Sequence, residues 1–72
     1  MKVKKIIKKC NDYEWLLIAD TDGIREVEGF AYDICDRHPY ILEMKVQNIR
    51  SIIRHKREAL LLTGNFSEVL PI

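Results

Sequence analysis

The chain has 72 residues and a formal net charge of +1, from 12 basic and 11 acidic side chains. This length fits one domain, and a domain so small buries only about 60% of the surface that its unfolded chain exposes. Two cysteines are too few for a disulfide-rich secreted scaffold, and no apolar stretch approaches the roughly 18 residues of a membrane-spanning helix, so we expect one cytoplasmic domain over residues 1–72.

Residues 3–10 are predicted to form a short amphipathic helix. Its apolar residues recur at the spacing of one helical face: Val3, Ile6, Ile7 and Cys10. Lysines fill the solvent side, and turn-forming residues follow at 11–12. A helix this short does not persist alone in water, so its apolar stripe must pack on another element.

Residues 14–33 predict a β-hairpin. Residues 14–19 form a short continuous apolar run, which is typical of a strand buried on both faces. Residues 20–23, Asp-Thr-Asp-Gly, are a strong turn signal, because Gly23 adopts positive φ readily. Residues 24–33 then return as a second strand, with Val27 and Gly29 on one side and glutamates on the other.

The second half of the chain is less regular. Residues 34–43 are expected to be irregular, with a short helical turn beginning at Pro39. Residues 45–54 fit either a strand or a helix, because Val46, Ile49 and Ile53 have helical spacing but are β-branched. Residues 59–63 resemble a buried strand, which makes 55–58 the polar tip of a second hairpin if 45–54 is also a strand.

Five segments together resemble a loose group of short proteins from Gram-positive bacteria, their phages and their prophages. The segments are the Lys-rich opening 1–7, Tyr-Glu-Trp-Leu-Leu-Ile-Ala-Asp at 13–20, the acidic-aromatic stretch 28–34, Lys-Val-Gln-Asn-Ile at 45–49, and the last aliphatic strand. The chain departs from the group around 37–39 and from residue 64 onward. The resemblance implies a short helix with a small antiparallel sheet, a mobile genetic element as the source, and no known active site.

The near-neutral net charge hides a segregation along the chain. Residues 11–44 carry nine acids and two bases, a sum of −7, whereas the remaining residues carry ten bases and two acids, a sum of +8. Three interpretations are open: both sets are solvated, opposite patches meet between two copies or with a partner protein, or one patch engages nucleic acid. Five lysines within the first nine residues would suit phosphate contacts.

No cofactor, metal ion or catalytic group is expected. Asp20 and Asp22 resemble the start of a calcium loop, but the sixth and twelfth loop positions hold Arg25 and Ala31, where glycine and glutamate are required. The cysteines and histidines lack the paired spacing of a zinc site, and no oxyanion hole accompanies a nucleophile–base pair; these residues are Cys10, Cys35, His38 and His55. We therefore expect a protein that is not an enzyme.

The aromatic residues divide into two predicted groups. Trp15 and Phe30 are expected in the core, whereas Tyr32, Tyr40 and Phe66 have polar neighbours and suit an interface. Nucleic-acid-binding sheets place basic residues beside exposed aromatic rings, but the neighbours here are acidic. This pattern favours a basic protein partner over nucleic acid on the same face.

These observations lead to one fold and two functional hypotheses. We expect an α+β fold, with the N-terminal helix on an antiparallel sheet of about four strands in two hairpins, and a homodimer that covers part of the small sheet. The first hypothesis is a protein-binding module, whose partner-binding residues are Glu26, Glu28, Tyr32, Asp33 and Asp36. The alternative is a nucleic-acid-binding accessory protein that uses Lys4, Lys5, Lys8, Lys9, Arg54 and Lys56, the last two within the basic cluster 54–57.

Overall fold

The structure, a computed structural model, describes residues 1–70; the last two residues of the predicted domain, 71 and 72, lie outside the described part. The elements in chain order are α1 (Val3–Lys9), β1 (Trp15–Asp20), β2 (Glu26–Phe30), α2 (Ala31–Arg37), the 3₁₀ helix η1 (Pro39–Glu43), β3 (Val46–Arg54), β4 (Arg57–Gly64) and the 3₁₀ helix η2 (Phe66–Glu68). No helix in this part of the chain has the length and apolar content needed to cross a membrane.

Four strands form one sheet in the order β2-β1-β4-β3. The α+β class and both hairpins are confirmed, since β1 pairs antiparallel with β2 and β3 pairs antiparallel with β4. The sheet is mixed, however, and not wholly antiparallel, because β1 and β4 run parallel at its centre. The reason is the connection: α2 and η1 carry the chain from β2 to the opposite edge, so β4 returns beside β1 in the same direction.

The hydrophobic core lies between the helices and one face of the sheet. Fully buried side chains from β1 and β4 pack there against residues of every helical element. The main members are Val3, Ile6, Leu16, Ile18, Val27, Ala31, Ile34, Ile41, Met44, Leu62 and Phe66. The other face, which carries Trp15, Leu17, Glu28 and Leu61, has no helix over it, so it is called the open face below.

The N-terminal helix is confirmed over Val3–Lys9, with Val3 and Ile6 buried as the apolar spacing predicts. Backbone hydrogen bonds fasten its beginning to the sheet. The Val3 N–H donates to the Met44 carbonyl at 3.0 Å, and the Val46 N–H donates to the Met1 carbonyl at 2.8 Å. These bonds place the lysines of α1 beside the first residues of β3.

The second strand is shorter than the sequence predicts. β2 ends at Phe30, and residues 31–37, which were expected to continue the strand and then become irregular, form α2. The prediction over 31–33 is wrong because Ala31 and Ile34 are buried together at helical spacing. An Arg37–Asp33 ion pair of 3.1 Å supports the same helix. The predicted helical turn at Pro39 is confirmed as η1.

Residues 46–54 are a strand, which settles the ambiguity that their spacing creates. A β-bulge lies between Val46 and Asn48, so one extra residue separates the inward-facing Val46 from Ile49. Ile53 lies four residues after Ile49, which is two periods of the two-residue strand alternation, so both side chains lie on the same face. A bulge followed by regular alternation thus produces the 3 and 4 spacing that is typical of a helix.

The turns explain two further features of the sequence. At the first hairpin, Gly23 has φ of 76°, and its N–H donates to the Asp20 carbonyl, which confirms a hairpin turn at this site. The Asp20 side chain is buried and accepts hydrogen bonds from the backbone N–H groups of Thr21 and Phe66, so it fastens η2 to the end of β1. This carboxylate has a structural role.

Candidate protein-binding surface

Four aromatic side chains meet at the end of the sheet where β1 begins and β2 ends. This aromatic patch consists of Tyr13, Trp15, Phe30 and Tyr32. The Trp15 and Phe30 ring centroids are 5.0 Å apart in an edge-to-face arrangement. Phe30 and Tyr32 stack at 5.9 Å, and Tyr13 meets Tyr32 edge-on at 5.6 Å. Such pairs add to the free energy of burial, so the patch is a preorganised surface.

Backbone pairing brings the four rings together. In the β1–β2 register, Trp15 lies opposite Phe30. The first residues of α2 then continue the pairing, because the Ala31 N–H donates to the Glu14 carbonyl at 2.9 Å and the Tyr32 N–H donates to the Asp12 carbonyl at 3.2 Å. These bonds also satisfy two of the N–H groups that a helix leaves free at its N-terminus.

The exposure of the aromatic residues corrects part of the sequence interpretation. Trp15 and Phe30, expected in the core, are half-buried on the open face and lie outside the core cluster. Tyr32 is 44% exposed, and the neighbouring Tyr13 is 72% exposed. Phe66, expected at an interface, is the first residue of η2 and is buried in the hydrophobic core.

The outcome for Tyr40 is intermediate. Its ring is half-buried and packs against the hydrophobic core, and it also meets the ring of His38 edge-on. Tyr40 therefore supports the fold on the helical side of the molecule, away from the aromatic patch.

Basic residues from the second hairpin border the aromatic patch. The sequence suggested the cluster 54–57 for nucleic acid, but it did not reveal this contact. The Arg57 guanidinium carbon lies 5.3 Å from the ring centroids of both Trp15 and Phe30, which is a cation–π arrangement. The His55 ring lies 5.9 Å from that of Trp15. These residues are about 40 positions from Trp15 in the chain, so no local pattern signals the contact; only the parallel β1–β4 pairing creates it.

Glu28 is the centre of a polar network on the open face. Its carboxylate accepts hydrogen bonds from Trp15 Nε1 at 2.9 Å and Arg54 Nε at 2.8 Å, and His55 Nε2 lies 3.3 Å away. The Arg54 hydrogen bond is the main cause that lowers the pKa of Glu28 from 4.5 to about 2. Glu26 is more distant, at 3.9 Å from the Arg54 guanidinium. Glu28 is therefore already paired within the molecule.

The five predicted partner-binding residues thus fall into three positions. Glu26 and Glu28 lie on the open face, and Tyr32 belongs to the aromatic patch. Asp33 and Asp36 lie on α2, where Asp36 is exposed and Asp33 pairs with Arg37. On α2, Asp36 lies one helical turn after Tyr32, beside the patch, whereas Asp33 lies near Gly29, which is on the core side of the sheet. Glu28 supports the opposite rim of the patch by holding Arg54.

The residues predicted for nucleic-acid binding lie at two separate sites. Lys4, Lys5 and Lys8 line a shallow basic pocket of about 400 Å³ that also includes Met1, Lys2 and Lys45. Lys9 is exposed on the same helix. Arg54 is the last residue of β3 and Lys56 lies in the turn that follows. At the rise of an extended strand, Arg54 is about 26 Å from the beginning of β3, where the pocket lies. Lys4 also pairs with Glu43 at 2.9 Å, as Arg54 does with Glu28.

The cysteines are free and half-buried. Burial, with a contribution from Glu14, raises the pKa of Cys10 to about 11. Burial also raises the pKa of Cys35. Both thiols are therefore protonated and weakly nucleophilic at neutral pH. Across residues 1–70, no three histidine, cysteine or acidic side chains converge as a metal site would require.

Comparison of the chain with family models, with curated proteins and with solved structures finds no match. The resemblance to phage-associated proteins therefore stays a prediction.

Proposed function

We propose that the protein is a small, non-enzymatic protein-binding module and that the aromatic patch is its contact surface. The observation that carries this proposal is the cluster of four touching rings, of which Tyr13 and Tyr32 are 72% and 44% exposed. Tyrosine and tryptophan are enriched among the residues that dominate binding energy at protein interfaces, because they bury a large area with little loss of side-chain freedom.

The charge around the patch gives the contact its selectivity. Asp36 lies one helical turn after Tyr32 on α2, so a partner that covers Tyr32 also faces this acidic rim. Arg57 and Arg54 border the other side, where Arg54 is paired with Glu28. A partner with an apolar or aromatic anchor and a basic flank would complement the α2 side.

The resemblance noted in the sequence supports a biological setting for this contact. We infer that the protein is a phage or prophage accessory factor that acts in the cytoplasm by binding a host protein. Inhibition of a host defence protein is one form that this contact would take. The mixed rim of the patch suits such a contact, since Arg57 and Asp36 present both charge signs beside the rings.

The proposal is tested by capture of bound proteins from a lysate of a Gram-positive bacterium, followed by mass spectrometry. The test variant is the double substitution Tyr13→Ala with Tyr32→Ala, which removes the exposed rings and leaves the core intact. We expect at least a tenfold loss of each specifically captured protein, because two interface anchors contribute roughly 2 kcal/mol or more.

The matched control is Ile24→Ala, which removes an 80% exposed apolar side chain from the opposite end of the β1–β2 hairpin. It should retain full capture. A second variant, Asp36→Lys, reverses the exposed charge beside Tyr32 and should also lose the partner if the acidic rim contributes. Equal capture by all three variants and the parent protein would contradict the assignment of the patch.

The lysine-lined pocket beside α1 favours nucleic-acid binding as a second candidate function. Phosphate contacts would make the affinity for DNA or RNA fall steeply with salt. Fluorescence anisotropy with labelled oligonucleotides at 50 and 200 mM salt should then show this fall, and Lys5→Ala with Lys8→Ala should weaken binding. Titrations without any signal at low salt would remove this candidate.

A further inference from the structure

The sheet has two edges of different character. β2 forms one edge with five residues, among them Glu26 and Glu28. β3 forms the other edge with nine residues, most of them exposed. Residues 1–2 cover only the beginning of β3, through the Val46 N–H bond to Met1 and a bridge between Lys2 and Lys45. Beyond that point, no strand of residues 1–70 pairs with the outer side of β3.

The hairpin geometry shows which backbone groups are free on this edge. Arg54 and Arg57 flank a two-residue turn, and the residues of a pair that closes such a turn exchange both hydrogen bonds. Pairs alternate along an antiparallel ladder, so Ile52 and Arg50 also bond to β4. The N–H and C=O groups of Ile49, Ser51 and Ile53 therefore point outward from the sheet.

The same three residues share one face of the sheet. Ile49, Ser51 and Ile53 lie opposite Leu62, Leu60 and Glu58, which places them on the side that carries the helices. The helices do not reach the end of the hairpin, because Ile49 is 47% exposed and Ile53 is 72% exposed. A groove of about 460 Å³ lies there, lined among others by Ser51, Ile53 and Leu60.

We propose that β3 pairs antiparallel with β3 of a second copy of this chain, about a twofold axis at Ser51. The pairing would join two four-stranded sheets into one of eight strands. This pairing goes beyond the proposed function and does not depend on the aromatic patch, since it uses only the free edge of β3. Ser51 would face Ser51 of the second copy, and Ile49 would face Ile53 of the second copy on each side of the axis.

Charge selects this register over its neighbours. With the axis at Ser51, Arg50 lies opposite an isoleucine and Arg54 lies opposite an asparagine. An axis at Arg50 would place this arginine against itself, and an axis at Ile52 would place Arg50 against Arg54. Like charges directly opposite each other are unfavourable in a sheet, so the Ser51 register is favoured over these two, and it pairs the seven residues 48–54.

Sedimentation velocity of the full chain with matched substitutions tests the proposal. We expect the parent protein to dimerise in the micromolar range and Ile53→Lys to weaken the dimer at least tenfold. The control is Ile24→Lys, at the end of the other hairpin, where the isoleucine is 80% exposed. It should dimerise like the parent protein. A parent protein that stays monomeric at every concentration up to 1 mM would overturn the proposal.

Cysteine cross-linking tests the position of the axis. Cα atoms of a hydrogen-bonded antiparallel pair are about 5.5 Å apart, within the range of a disulfide. Ser51→Cys should therefore form a covalent dimer under mild oxidation at least tenfold faster than Ser67→Cys, an exposed serine on η2. Oxidation of the parent protein measures how much Cys10 and Cys35 contribute to covalent dimer formation. Equal oxidation rates for Ser51→Cys and Ser67→Cys would overturn this register. The outcome is separate from that of the proposed function, because Tyr13→Ala with Tyr32→Ala should lose the captured partner and still dimerise.

Discussion

Glu28 shows how one side chain links elements that are distant in sequence. It lies on β2, yet it bonds to Trp15 on β1 and to Arg54 at the end of β3. Its side chain is 20% exposed, so the pair with Arg54 is shielded more than a typical surface ion pair. The ionised form of Glu28 therefore contributes to the stability of the open face.

Replacement of this carboxylate should change the pH dependence of folding. The pKa of Glu28 falls from 4.5 to about 2 in the fold, so its stabilisation is complete above the pKa of the unfolded chain and is lost as pH decreases from about 5 toward 2. Glu28→Gln should cost about 1 kcal/mol of unfolding free energy at pH 7. Urea denaturation between pH 7 and pH 3 measures the unfolding free energy of the variant and of the parent protein.

The control for this prediction is Glu58→Gln, because residues 1–70 show no ion pair for Glu58. The difference between Glu28→Gln and the parent protein should shrink on acidification, and Glu58→Gln should follow the parent protein. A difference that is constant from pH 7 to pH 3 would contradict the role of the Glu28 charge.

Gly64 is the glycine whose replacement should cost the most through packing. A Cβ atom there would lie 2.5 Å from the Lys45 carbonyl oxygen and 2.6 Å from Met44 Cε. Gly64→Ala should destabilise the fold by about 1–3 kcal/mol, as overpacking does elsewhere. Gly29→Ala is the control, because its nearest neighbour would be Asp33 Oδ2 at an ordinary 3.5 Å. Thermal denaturation should give Gly64→Ala a clearly lower melting temperature than Gly29→Ala.

At the scale of elements, the β3–β4 turn contains local strain. His55 and Lys56 have φ values of 53° and 62°, a left-handed conformation that both turn residues adopt without glycine. A two-residue turn of this kind matches the twist of the strands that it joins, and Asn-Gly is its preferred sequence. The hairpin therefore forms although its turn sequence is unfavourable, because β3 and β4 pair along their whole length.

Lys56→Gly should stabilise the protein by about 0.5–1 kcal/mol, because glycine adopts positive φ without a Cβ clash. Gly23→Ala provides the reciprocal comparison. Gly23 has φ of 76°, and no atom lies within 4 Å of a Cβ added there. The substitution should therefore lower the unfolding free energy by about 1 kcal/mol through backbone strain alone. Chemical denaturation gives both values, and a destabilised Lys56→Gly variant would contradict the argument.

Helix α2 is the element that the sequence predicts wrongly. The stretch from Phe30 to Ile34 alternates large and small residues like a strand, and nothing local marks the change at Ala31. The helix begins there because residues 12–14 accept hydrogen bonds from its first N–H groups and because Ile34 enters the core. Both causes are tertiary contacts, so the periodicity of the segment alone does not reveal them.

At the scale of the whole molecule, the charge segregation of the sequence is partly neutralised by the fold. Lys2 and Lys4 bind Glu43 at 2.8 and 2.9 Å, and Arg54 binds Glu28 at 2.8 Å. Each of these pairs joins the acidic middle of the chain to one of its basic ends. Opposite charges, for which contact between molecules was one of the three interpretations, therefore meet in part within one molecule.

The proposed dimer has a thermodynamic consequence for the whole molecule. If β3 pairs with β3 of a second copy, unfolding is coupled to dissociation, and the melting temperature rises with protein concentration. An increase of at least about 4 °C over a hundredfold concentration range is expected for a domain of this size. Differential scanning fluorimetry measures it, and Ile53→Lys should remove the dependence.

Local pattern by itself determined the helix over 3–10, the first hairpin with its turn at Gly23, the aliphatic strand of 59–63 and the α+β class. These features depend on periodicity and turn chemistry, which neighbouring residues carry. Only the tertiary structure decided the parallel β1–β4 pairing, the bulge in β3, helix α2 and the contact of Arg57 with the aromatic patch. They depend on contacts between residues far apart in the chain, where the energy of packing outweighs local preference.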